Sequence, residues 1–494
     1  MKPKFLRLVP QTKTPSAFST AECDGGGACS QPIQILQRGS NFDAASLVAL
    51  GEKTLRQGKQ IFQYPLGERE YRLFQNPQTR AALNAPAREI FDFFSNPRKP
   101  AEWARPGDID YEDAQITIAR FYEAGFLQDA SAASDAPEFD SSPAPLEAWL
   151  YLTRACNLAC AHCFVSKDVR RMNLETGWRA VERLFDLAER HGHPAVKIKY
   201  AGGEPTMNWD LIPALHERAK SKAQTTGLGL VETLVTNATL LNRKRLGWIK
   251  NENLRLSVSL DGFGAGHDRQ RPVLNGNPSF ERALHAILLA LEIGLSPHLT
   301  VTITKLNLEE IPALAAFALE HRLMLNLNFY RPHHPGDSLV PDNAELIRVL
   351  QNSLQVIEAN LPDYNFMEGL IDRSNFGASH QHVCGAGQNY LSVDTDGSVL
   401  PCHMLTGYNL SGIPLDTLTS PRFDDFSNPP IDRRNGCNAC EWRYWCAGGC
   451  PIHTQNIFGQ SNVSSPYCNV YKAVYPELIR LQALQLIQAD AQLK

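Results

Sequence analysis

No stretch of this 494-residue chain is apolar for long enough to span a bilayer, and its start, MKPKFLRLVPQTKTPSAFSTAE, lacks the unbroken hydrophobic run of a secretion signal. Strong net charge is missing too. Lys and Arg number 48 against 52 Asp and Glu, a formal balance of −4. That excludes a strong, salt-dependent hold on nucleic acid and gives no bias toward acidic ligands. No internal repeat is visible. The expectation is a cytoplasmic globular protein with neither nucleic acid nor membrane as partner, long enough for two to four domains.

Cysteine is present but unevenly spread. Of the 12, Cys23 and Cys29 stand alone near the start, and the other ten form two groups after residue 155. The first group is TRACNLACAHCF, with Cys156, Cys160 and Cys163 spaced C-x3-C-x2-C. Thiols this close in sequence pair poorly as disulfides, and in a reducing compartment such clustering favours metal or iron–sulfur ligation. Structural zinc wants four ligands, usually two C-x2-C pairs, and His162 is wedged between ligating neighbours. Three thiolates can instead hold three irons of a cubane and leave the fourth open for chemistry.

Composition divides the chain. Residues 1–40, with ECDGGGACSQP, lack periodicity and read as a flexible extension. Residues 41–128 read as a small domain. Two extended runs, QIFQYPL and REYRLFQN, precede a helix capped by Asn84 with Pro86 in its first turn and Ile90, Phe91 and Phe94 at helical spacing. A further helix carries Ala114, Ile118 and Phe121 and stops at Gly125. Residues 129–145, rich in Ala, Ser, Pro and acid, read as a linker. Over residues 146–345 six strand patterns, from AWLYLT to LNLNFY, alternate with amphipathic runs, one of which sets Trp178, Val181, Phe185 and Ala188 on one face. Such alternation predicts an α/β fold with a parallel sheet, six units suggest an incomplete barrel, and the first cysteines follow its first strand, where barrel chemistry sits. A helical bridge over 346–380 leads to a loop-rich segment, 381–475, with seven cysteines, and 476–494 read as a terminal helix.

With its C-x3-C-x2-C loop, and with AGGEP ending the second strand, the sequence resembles the radical S-adenosylmethionine (radical SAM) superfamily, whose fold is a partial (β/α)6 barrel; His162 takes the aromatic place of the family motif. The resemblance implies a [4Fe-4S] cluster on Cys156, Cys160 and Cys163, with Gly202, Gly203, Glu204 and Pro205 at the methionine amino group of SAM. It also implies SAM contacts from His162, from Thr236 and Asn237 of VTNATLL, from Ser259 and Asp261 of SVSLDG, and from Arg271. The later cysteines, C-x12-G-x4-C then C-x2-C-x5-C-x3-C then C-x17-C, resemble the SPASM domain, an auxiliary iron–sulfur module. Carried over, Cys437, Cys440, Cys446 and Cys468 hold a distal cluster and Cys384, Cys402 and Cys450 a proximal one, three [4Fe-4S] clusters in all. Ten cysteines against twelve corner irons leave two irons without a cysteine, one at the SAM site and one on the proximal cluster.

The small domain resembles the winged-helix, PqqD-like element of ribosomal peptide maturases, which takes up a leader peptide by adding it as a strand to a sheet edge. Together the resemblances imply reductive cleavage of SAM to a 5′-deoxyadenosyl radical, which takes hydrogen from a precursor peptide and forms a thioether or carbon–carbon crosslink, with electrons from a flavodoxin or ferredoxin. His403, directly after Cys402, is a candidate acid–base residue, and Tyr330 and Arg331 in FYRP are candidate substrate contacts. Two alternatives are a radical SAM dehydrogenase acting on a protein, of the formylglycine-forming or quinone-cofactor kind, and a non-catalytic iron–sulfur carrier or scaffold.

Overall fold

The computed structural model describes residues 4–7, 42–59, 61–66, 71–76, 79–103, 109–132, 139, 142–374, 376, 379–407, 412–423 and 426–492. Cys23, Cys29 and most of the expected 1–40 extension lie outside them.

The small domain runs β1 (Phe5–Arg7), α1 (Ala44–Gly51), β2 (Leu55–Gln57), β3 (Phe62–Pro65), β4 (Arg72–Gln75), β5 (Arg80–Leu83), α2 (Ala85–Phe93), α3 (Tyr111–Glu123) and β6 (Leu127–Asp129). Four strands form an antiparallel sheet in the order β1-β5-β4-β3, and β2 pairs with β6 in a separate ribbon. The Asn84 side chain accepts from the amide of Ala87 at 3.1 Å to cap α2, and Gly125 takes φ +70° just beyond α3. Phe74, Phe91 and Phe121 meet edge to face, with ring centroids 5.1 and 5.7 Å apart. Ile90, Phe94, Ala114 and Ile118 pack around them.

The central unit holds the six expected strands: β7 (Leu146–Thr153), β8 (Ala195–Gly202), β9 (Gly229–Thr236), β10 (Arg255–Ser259), β11 (His298–Ile303) and β12 (Leu325–Phe329). Neighbours pair in parallel in chain order, and the sheet stays open, as a partial barrel does. The connecting helices are α4 (Leu174–Arg190), α5 (Leu211–Thr226), α6 (Arg243–Asn251), α7 (Ala265–Gln270), α8 (Phe280–Glu292), α9 (Ile311–Glu320) and, after β12, α10 (Asn343–Ala359). On α4 the expected stripe is buried at Val181, Phe185 and Ala188. Trp178 is 41% exposed at its edge, beneath the guanidinium of Arg218.

The last segment does not stand apart. Its β13 (Tyr390–Val393) joins the barrel sheet in parallel beside β7, followed by β14 (Ser398–Leu400) and β15 (Ile413–Pro414) in antiparallel pairing. Short helices α11 (Arg443–Cys446) and α12 (Pro451–Phe458) precede α13 (Cys468–Gln492). The terminal helix thus begins eight residues before the expected 476 and carries Pro476 inside it, which sets Cys468 at its first position. The described residues hold no helix long and apolar enough to cross a membrane.

Candidate functional site

The loop holding Cys156, Cys160 and Cys163 leaves the carboxyl end of β7 and is pinned from three sides. Ala159 and Ala161 donate their amides to Pro272 and Gln270 carbonyls, and Lys167 Nζ closes the loop on the Leu158 carbonyl at 2.7 Å. From the third side comes β8. The amides of Gly203 and Glu204 donate to Thr153 and Ala155, each at 2.8 Å. A Cβ on Gly202 or Gly203 would stand 2.3 Å from those same carbonyl oxygens. Glycine is required here because backbone crosses backbone.

The expected SAM contacts divide into two buried networks and one outlier. Glu204 is fully buried. Its carboxylate accepts from Thr206 N at 3.1 Å and Oγ1 at 2.5 Å, from Thr236 Oγ1 at 2.7 Å and from Asn237 N at 2.8 Å, tying the ends of β8 and β9 together. Burial pushes its pKa up, against the pull of these donors. Asn237 Nδ2 reaches Asn157 Oδ1 at 3.0 Å and stands 4.0 Å from Cys156 Sγ. In the second network Asp261 accepts from Arg271, from Gln270 at 2.7 Å and from the Thr302 amide at 2.9 Å. Burial acts to raise the Asp261 pKa, but Arg271 holds it below the usual carboxylate range. Arg271 Nη1 lies 3.8 Å from Cys160 Sγ. His162 Nε2 is 3.8 Å from Asp261, its Nδ1 is buried without a partner, and burial lowers its pKa to about 3, so the ring is neutral. Pro205 is buried at the start of the turn after β8. Ser259, ending β10, joins neither network.

The seven later cysteines come together in the two sets expected. Cys384, Cys402 and Cys450 share one apolar cluster with Ala386, Tyr390 and Met404. Cys440 lies close enough to Cys437, Cys446 and Cys468 to help raise the pKa of each. Asn428 Nδ2 lies 4.0 Å from Cys384 Sγ. All ten described cysteines are free thiols, and burial pushes Cys156 and Cys446 up to about 12 and Cys437 to about 11. Such thiols keep their protons unless a metal displaces them. Among the described residues no three cysteine sulfurs lie within 4.8 Å of one another. One zinc would draw its sulfurs to roughly 3.8 Å, given Zn–S bonds of about 2.3 Å. As placed, no three of these sulfurs can share a single zinc, and all-thiol donor sets of this kind suit iron–sulfur chemistry.

His403 links the two halves. Its ring stacks on Trp149 at 4.5 Å, lies 5.5 Å from the ring of Phe164, which follows Cys163, and hydrogen-bonds through Nδ1 to Tyr390 Oη at 2.5 Å. Its own backbone carbonyl accepts from Tyr151. Tyr330 and Arg331 are held by acids: Tyr330 Oη donates to Asp337 at 2.9 Å, and Arg331 grips Asp372 at 2.7 and 2.8 Å. Sequence reasoning missed Tyr390, Asn428 and Arg434. No spacing marks them, because their partners arrive from distant parts of the chain.

Residues 150–318 match the family described as the radical SAM superfamily. Over 374 residues the chain is 25% identical to Fe-coproporphyrin III synthase of Methanosarcina barkeri, covering 68% of this chain and 90% of that protein. It is 26% identical over 354 residues to PqqA peptide cyclase of Xanthomonas euvesicatoria, covering 66% and 88%. The solved structure of native anSMEcpe with bound AdoMet and Cp18Cys peptide matches with TM-score 0.58 at 19% identity, over 71% of this chain and 100% of that one, a likeness of fold.

Proposed function

Because this chain is a radical SAM protein through residues 150–318, we propose that it matures a ribosomally made precursor peptide. When bound, SAM and a cluster open at one iron supply a 5′-deoxyadenosyl radical that takes hydrogen from an unactivated carbon. This chain's own residues do the rest. Cys156, Cys160 and Cys163 hold the site cluster, with Arg271 and Asn237 directed at its sulfurs. The polar ends of β8, β9 and β10 orient SAM, and neutral His162 lies beside it. Cys437, Cys440, Cys446 and Cys468 hold a distal auxiliary cluster, and Cys384, Cys402 and Cys450 a proximal one. His403, Tyr330 and Arg331 face the substrate, and a flavodoxin or ferredoxin donates electrons.

The observation that carries the peptide reading is the placement of the sheet edge. Among the described residues strand β3 ends the small sheet with one side unpaired, and its Tyr64 hydrogen-bonds Glu441 at 2.9 Å and stacks near Trp442, beside Cys440. A leader strand added to β3 would run along the cysteine-rich segment and deliver its core toward the barrel. The kinship with PqqA peptide cyclase supports the same substrate class. The reaction we favour is a thioether or carbon–carbon crosslink. Anaerobic co-expression with a short open reading frame taken from beside the gene tests it: a loss of two hydrogens from that peptide is expected. Unaltered peptide together with no release of 5′-deoxyadenosine overturns the reading.

A second reading, radical chemistry on a tetrapyrrole substrate, is favoured by the similarity to Fe-coproporphyrin III synthase. It predicts a shifted Soret band when coproporphyrin is added to the reconstituted protein, which a peptide maturase would not give.

A further inference from the structure

Arg434 is fully buried, yet among the described residues no carboxylate pairs with it. The other buried guanidiniums near the cysteine sites each have an acid: Arg154 has Asp394, Arg271 has Asp261 and Arg331 has Asp372. Arg434 has only two carbonyls, Pro429 O at 3.3 Å from Nε and Gly448 O at 3.2 Å from Nη1, and its Nη2 is buried without a partner. A buried guanidinium without a counter-charge is costly to hold, so an anion belongs beside it.

The anions at hand are sulfurs. The charges that bear on Arg434 most are the thiols of Cys437, Cys450, Cys384 and Cys446, two from each later set. Pro429 follows Asn428, which donates to the carbonyl of Cys384 at 2.9 Å, and Gly448 lies between Cys446 and Cys450. The room for the side chain comes from Gly448 itself, at φ +78°: a Cβ there would stand 2.2 Å from Arg434 Cδ. The chain thus makes room for a lone buried cation near cysteines of both later sets.

We propose that Arg434 is a positioning residue shared by both auxiliary clusters, its free Nη2–H bonding their sulfur and its charge raising their reduction potentials. The inference rests on the reading that Cys384, Cys402 and Cys450, and Cys437, Cys440, Cys446 and Cys468, hold iron–sulfur clusters. Reduction adds negative charge to a cluster, and a fixed cation in a medium of low polarity favours that form.

The test is redox titration of the full reconstituted protein, followed by electron paramagnetic resonance, beside iron and sulfide counts. In Arg434→Gln the reduced-to-oxidised ratio of the auxiliary clusters at fixed potential should fall at least tenfold, about 59 mV for one electron. Arg434→Lys should stay much closer to wild type. The cluster on Cys156, Cys160 and Cys163 should not move, and serves as the internal reference. If Arg434→Gln sheds iron while Arg434→Lys keeps it, the need for the charge is equally supported. Unchanged potentials at full iron content overturn the proposal, as does iron loss in both variants alike. Wild-type protein with iron for the first site alone would instead overturn the auxiliary-cluster reading beneath it.

Discussion

At the scale of single residues, the grouping of the cysteines was legible because it is written in their spacing, whereas the groups that set their surroundings were not. Glu204 is the instructive case. The sequence offers it as a partner for an ammonium; the structure commits its carboxylate to four protein donors that clamp β8 to β9. Glu204→Gln turns an acceptor into a donor facing donors, so stability should fall by about 2–4 kcal/mol, read from the urea midpoint. An unchanged midpoint would remove the clamp from the account. On the outside of the barrel, His216 Nδ1 meets Glu232 at 2.7 Å and Nε2 meets Glu252 at 3.2 Å. The Glu232 bond, more than Glu252, raises the His216 pKa. A raised pKa stabilises the fold fully below the unfolded value, near 6.5, and the gain is lost as pH rises through the folded value. The stability gap between wild type and His216→Gln should therefore be wide at pH 6 and narrower at pH 9; a gap independent of pH would contradict the pairing.

Among elements, the six barrel strands were readable because short runs with buried apolar residues alternate with helical stripes, and the Asn84 cap because its chemistry is local. Replacing Asn84 with Ala should cost about 1 kcal/mol in thermal or chemical unfolding, with Asn84→Ser recovering most of it. The elements that escaped reading are those made by partners. RAAL, Arg80–Leu83, has helix-forming composition and becomes β5 because β4 and β1 flank it on both sides. Likewise β13 is a four-residue run whose place beside β7 no local pattern encodes. The junction of β8 with the cysteine loop is a third such feature. In Gly203→Ala the new Cβ meets the Ala155 carbonyl, a backbone atom that can yield only by moving the loop. Strain of about 1–3 kcal/mol and slower release of 5′-deoxyadenosine are expected, the auxiliary iron count staying intact.

For the whole molecule, the boundary near residues 129–145, legible as composition, does not make the small domain separable. Leu66, Leu73 and Ala82 lie in the same apolar cluster as the barrel and the terminal helix. Arg80 crosses to the Phe376 carbonyl at 2.9 Å and covers that ring. Removing residues 1–141 would uncover a face on which two leucines alone are worth about 3–6 kcal/mol. The truncated chain should melt earlier and aggregate, so its failure to turn over peptide would say nothing about leader binding. The edge strand is the better target. Tyr64→Phe removes one hydroxyl contact with Glu441 while leaving the ring on Trp442, so the melting temperature should barely move. Gln63 lies between Phe62 and Tyr64 on the edge strand, and its neighbour in the sheet is Phe74. Gln63→Pro deletes one amide donor from the edge and should weaken binding of the precursor while leaving 5′-deoxyadenosine release without peptide unchanged. Equal peptide affinity in Gln63→Pro and wild type would move the docking site away from β3.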